Sequence, residues 1–114
     1  MNPSNLKELA EKVAVPARHL RYLLEQITIY IPQATVWVFG SRVKGKHRPA
    51  SDLDLAVLCD EQTAKKTLPK LNEVFVESDL PFKVQILDFN RLPENMQANI
   101  RKKYVVLYQL KKDN

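Results

Sequence analysis

Val36-Trp37-Val38-Phe39-Gly40-Ser41-Arg42 is followed, with residues 42–51 between Ser41 and the first acid, by Asp52-Leu53-Asp54-Leu55. An apolar run ends in Gly-Ser, a basic loop follows, and two carboxylates then stand at i and i+2. In a strand, positions i and i+2 face the same way. Two carboxylates side by side repel unless a cation sits between them. Hard oxygen donors suit Mg²⁺ or Mn²⁺. A Gly-Ser turn entering a helix offers free backbone N–H groups to phosphate. Asp52 and Asp54 are thus candidate metal ligands, and Gly40, Ser41 and Arg42 candidate nucleotide-binding residues. Carboxylates, metal and phosphate cradle together describe a nucleotide-transfer site.

Only Gly40 and Gly45 are glycines in the 114 residues, and both lie in the candidate site. The backbone freedom of glycine is therefore reserved for the candidate site. Arg42, Lys44, Lys46 and Arg48, with His47, crowd the loop and would draw in a polyanion. The whole chain carries a net charge of +5, which suits a nucleotide, a nucleic acid or an acidic partner.

The length sets the expectation of one domain over residues 1–114, with residues 1–14 as an N-terminal helical extension and 111–114 as a frayed tail. No apolar run reaches the roughly 18 residues of a membrane span. The start of the chain lacks the basic and apolar regions of a signal peptide. The single cysteine, Cys59, excludes an intrachain disulfide and a Cys-rich zinc site, and its apolar setting predicts a buried, inert thiol. These features point to the cytoplasm.

Ser4 is placed to cap a first helix running to about Val13. Pro16 suits the first turn of a second, to about Tyr30, with Leu20, Leu23, Leu24, Ile27 and Ile31 as its buried stripe. Pro32 ends it. Strands are predicted at 35–39, 53–58 and 82–87, with a short helical turn at 41–46. A helix at 63–78 carries an irregularity at Pro69 and an apolar face including Leu68, Leu71, Val74 and Phe75. A helix at 93–103 and an extended segment at 104–110 complete the chain. Strands alternating with helices predict a small α/β (α+β) domain, a mixed sheet of three or four strands flanked by helices.

At this point the chain resembles the DNA polymerase beta-type nucleotidyltransferases, and more narrowly their minimal members in bacteria and archaea. The residues that carry the likeness are 39–45 (Phe-Gly-Ser-Arg-Val-Lys-Gly), 51–57 (Ser-Asp-Leu-Asp-Leu-Ala-Val) and 78–88 (Ser-Asp-Leu-Pro-Phe-Lys-Val-Gln-Ile-Leu-Asp). It spans roughly residues 15–110. The resemblance implies Mg²⁺-dependent transfer of a nucleoside monophosphate, AMP from ATP, to an acceptor hydroxyl. It places Asp52 and Asp54 as catalytic metal ligands and expects a third acid on the next strand. Gln85 stands at that position. An amide oxygen can approach a metal but is a poor base and brings no charge. Asp88, three residues on, faces the other way in a regular strand.

The resemblance also implies a small helical HEPN-type partner, with the chain acting as antitoxin and adenylylating a tyrosine of the toxin. The competing reading is a weakened pseudo-enzyme: Gln85 disables transfer, and the chain binds nucleotide and partner as a module, with an apolar patch around Tyr104 to Tyr108 as interface. Direct nucleic-acid binding ranks last, for want of template-gripping domains. A homo-oligomer stays open. Elsewhere, His19 and His47 read as surface residues, Trp37 as core, and Arg101-Lys102-Lys103 as a solvated helix end.

Overall fold

The computed structural model describes residues 3–110. Helix α1 (Pro3–Val13) and helix α2 (Ala17–Tyr30) lead into strand β1 (Thr35–Phe39) and, beyond the basic loop, strand β2 (Leu53–Leu58). Helices α3 (Glu61–Lys66) and α4 (Leu68–Val76), strand β3 (Val84–Asp88), a 3₁₀ turn at Phe89–Arg91, helix α5 (Glu94–Lys102) and strand β4 (Val105–Gln109) follow. The four strands lie in the order β3-β2-β1-β4. β1 is antiparallel to both neighbours, whereas β2 and β3 run parallel, so the sheet is mixed as expected. The two strands on either side of the basic loop have the predicted bounds.

The period of two along the strands sorts the sheet into two faces. Val36, Val38, Leu53, Leu55 and Val57 point into the main core, where Leu20, Leu23 and Ile27 of α2 and Leu68, Leu71 and Phe75 of α4 meet them. Leu6, Ala10 and Val13 of α1 are buried in that same core. The expected Ser4 cap is a side-chain contact and lies outside the described residues. The opposite face carries a smaller cluster of Ala56, Phe89 and Ile100, with Trp37, Phe39 and Met96 against it. Trp37 stands between Phe89, edge-on at 5.2 Å, and Tyr104, stacked at 4.1 Å. It is partly buried packing rather than full core.

Four local departures have physical causes. The single helix expected at 63–78 is two, broken at Thr67. Pro69 lacks an N–H and clashes with the preceding turn, so it is tolerated only where a helix restarts. The start of α3 is fixed by Asp60, whose carboxylate accepts from the Thr63 amide at 2.8 Å and hydroxyl at 3.0 Å. The third strand begins at Val84, after a bend at Pro81 and Phe82. Residues 41–46 make one closed turn rather than a helix: Lys46 N–H donates to Ser41 O at 3.1 Å around Gly45 at φ +71°. A similar closure ends α1, where Val15 N–H donates to Ala10 O at 3.1 Å around Ala14. Ala14 sits at φ +55°, a place that favours glycine. Cys59 is half-buried rather than buried. Burial first, then the charges of Asp88 and Asp60, push its thiol pKa up and keep it protonated.

Candidate active site

The two strand pairings place Asp54 at the centre. Antiparallel β1 sets Phe39 across from it, and parallel β3 sets Gln85 beside it. Both pairings are unbroken at this point, so Asp54 and Gln85 share the face opposite the main core. Asp52 lies just before β2, exposed, two residues from Asp54. Asp54 is half-buried, and burial, followed by the nearby charge of Asp52, raises its pKa above 3.8.

Gly40 explains how a backbone turn and a carboxylate fit in one place. Its φ is +83°, and a Cβ added there would overlap Asp54 Oδ2 and lie 3.2 Å from Asp54 Cγ. Only glycine suits both the angle and the space. Ser41 follows; its carbonyl takes the Lys44 and Lys46 amides at 3.2 and 3.1 Å. Its hydroxyl meets no partner among the described residues and remains available to a ligand. The expected helix N-terminus here is the single turn described above, so the cradle consists of Gly40, Ser41 and that turn alone.

Arg42 departs from its expected role. It is 3% exposed. Its Nε donates to Ser51 O at 3.1 Å, and Nη2 to Ser51 O at 2.8 Å and Pro49 O at 2.9 Å. Nη1 donates to Ala14 O at 2.5 Å. The guanidinium carbon lies 4.6 Å from the Phe82 ring centroid. Burial lowers its pKa, and Asp52 partly offsets that. A guanidinium committed to three carbonyls is a clamp on the loop that enters Asp52, not a free fork for phosphate. Lys44, Lys46 and Arg48, all exposed, are the loop cations open to an incoming anion.

Gln85, where the resemblance expects a third acid, lies beside Asp54 in the parallel register and is exposed. Asp88 does not replace it. It pairs with Val57, three residues along an unbroken register, or about 10 Å away. Its Oδ1 is buried without a partner. Among the described residues no group of three or more His, Cys, Asp or Glu side chains is arranged to hold a metal ion. Two carboxylates, one pushed toward neutrality by burial and then by its fellow, fit a divalent cation bound together with a nucleotide. Mg²⁺ commonly takes one or two carboxylates and completes its shell with phosphate oxygens and water.

Sequence reasoning missed Ala14, Pro49, Ser51 and Phe82, the partners of Arg42. In the sequence Ser51 stands out only as the first residue of the 51–57 motif. Its hydroxyl also accepts the Arg48 amide at 2.7 Å, which closes the loop's last turn.

Fold and site together define a nucleotidyl-transfer domain. The chain belongs to the polymerase beta nucleotidyltransferase family, whose model matches residues 25–113. Within the family it is a minimal nucleotidyltransferase. It is 43% identical over 93 residues to the probable protein adenylyltransferase MntA of Haemophilus influenzae, covering 82% of this chain and 79% of that protein. The fold matches a crystal structure of a toxin–antitoxin with AMP-PNP at a TM-score of 0.62 and 20% identity, over 79% of this chain and 73% of that one.

Proposed function

We propose that the chain transfers AMP from ATP, with Mg²⁺, to a hydroxyl of a partner protein, and that this partner is the toxin of a toxin–antitoxin pair, of HEPN type, in the cytoplasm. The observation that carries the reading is Asp54 seated over Gly40, with Asp52 beside it and the Ser41 hydroxyl free. Support for the nucleotide and acceptor comes from the names of the relative and of the structural neighbour. No helix of the described residues is long and apolar enough to cross a membrane.

Gly40 leaves room for the Asp54 carboxylate against the turn, and the Ser41 hydroxyl would donate to a phosphate. Lys44, Lys46 and Arg48 attract the polyphosphate. Asp52 and Asp54 would hold the cation, which when bound would neutralise charge on the leaving pyrophosphate. The acceptor oxygen forms a bond to the α-phosphorus as the bond to the β-phosphate bridging oxygen breaks. The acceptor proton passes to water, because the amide of Gln85 cannot take it. The chemistry is therefore slow for this kind of site.

The partner would dock beside β4, an edge strand of the sheet. Tyr104 is 38% and Val106 41% exposed there, next to Arg101, Lys102 and Lys103. A second reading, a binding module without transfer, is favoured by one observation: the neutral, exposed Gln85 beside Asp54.

Incubation with α-labelled ATP, Mg²⁺ or Mn²⁺, and the product of the neighbouring gene separates the two. Label on the partner, lost in Asp52→Asn/Asp54→Asn, is the expected result. Transfer that appears only in Gln85→Asp, with partner binding intact in the native chain, would establish the module instead.

A further inference from the structure

A cleft of about 540 Å³ opens between the α1–α2 junction, the basic loop and the segment entering β3. Pro16, Pro49, Pro81 and Phe82 give it apolar walls. Arg18, His19, Arg42 and His47 give it cationic and imidazole groups, and no carboxylate lines it. Gly40, Ser41, Asp52, Asp54 and Gln85 take no part in its lining, so it is separate from the carboxylate site.

The cleft is organised around one ring. Phe82 is buried, with the Arg42 guanidinium over its face at 4.6 Å and His19 edge-on at 6.0 Å. None of the four lining bases is in an ion pair among the described residues, where the ion pair found is Lys65–Glu61. Arg42 Nη1 carries two hydrogens, and Ala14 O accepts one of them. The volume lies within the roughly 300–1,000 Å³ of small-molecule sites. Apolar walls call for an apolar body, and Arg18, His19 and His47, with no ion-pair partner among the described residues, call for negative charge.

We propose that this cleft binds a small organic anion, a phosphate or carboxylate group joined to a flat apolar body, at a site distinct from the two carboxylates. The inference stands independently of the proposed reaction. Occupancy would be felt at the active site, because His47 and Pro49 roof the cleft while Arg42 ties Pro49 and Ser51, the residue before Asp52, to its wall.

The test is a titration of the ¹⁵N-labelled full chain, followed by amide shifts, with phenyl phosphate, benzoate and inorganic phosphate in separate arms. Phenyl phosphate or benzoate should give saturating shifts at Arg18, His19, His47 and Phe82, and the tighter arm identifies the anionic group. Inorganic phosphate should bind more weakly. Asp52→Asn/Asp54→Asn should retain the response, and Arg18→Glu/His47→Glu, two exposed positions, should weaken it by roughly tenfold or more. Shifts that fail to saturate with either aromatic probe would overturn the proposal. So would unchanged affinity in the Arg18→Glu/His47→Glu variant, or loss of the response in Asp52→Asn/Asp54→Asn, which would place the probe at the carboxylates.

Discussion

Asp54 is held where its charge is unwelcome. Burial and Asp52 both favour its protonated form, so the folded chain binds that proton more tightly than the unfolded chain does. Linkage then fixes the sign: stability falls as pH rises from the ordinary carboxylate value of 3.8 through the raised one. Asp54→Asn should therefore melt above the native protein at pH 7 in EDTA, with the gap closing below that ordinary value. Adding Mg²⁺ and ATP should raise the native melting temperature and leave the variant where it is. A thermal melt series across pH reads both effects. Residues differed sharply in how legible they were. Asp52, Asp54 and Gly40 announced themselves by type and spacing. Arg42 did not, because a basic residue directly after Gly-Ser reads as a phosphate ligand. Its acceptors are backbone carbonyls, one of them 28 residues away, and carbonyls leave no trace in side-chain identity.

Helix ends show the same division between strong local signals and contextual ones. β1 and β2 could be read because each apolar run is bounded by residues that stop it, Gly40 after one and Asp52 before the other. The break between α3 and α4 was half legible: Pro69 marked the disturbance, but the restart at Leu68 depends on Leu68, Leu71 and Phe75 reaching the core together. The end of α1 was not legible at all. Ala14 occupies a left-handed turn that sequence would assign to glycine or asparagine. Relief of that strain makes Ala14→Gly stabilising by about 1 kcal/mol, despite the added freedom of the unfolded chain. Urea unfolding would show it as a higher midpoint at unchanged slope. A lower midpoint would mean that the alanine methyl packs at the junction more usefully than its half-exposed position suggests.

Across the molecule, the alternation of helix and strand sufficed for the fold class, while strand order and the second cluster needed the three-dimensional structure. The partners in that cluster come from residues far apart in sequence, such as Ala56 of β2, Phe89 beyond β3 and Ile100 of α5. Phe89 is its anchor, 1% exposed, with Trp37 edge-on and Arg101 over its ring at 5.0 Å. Phe89→Ala should cost about 3–5 kcal/mol. Since the cluster shares its sheet face with Asp54, the loss should also loosen α5 before the main core gives way. Hydrogen exchange would place that early opening in residues 94–102.

The clamp at Arg42 has a consequence along the axis of ionic strength. The loop into Asp52 is anchored by a buried guanidinium on carbonyl oxygens, contacts that dissolved ions screen little. The exposed Lys44, Lys46 and Arg48 that would gather a polyphosphate are screened fully. Concentrated salt should therefore leave the catalytic loop in its shape while stripping it of its attraction for substrate, so that architecture and capture part company in a single titration.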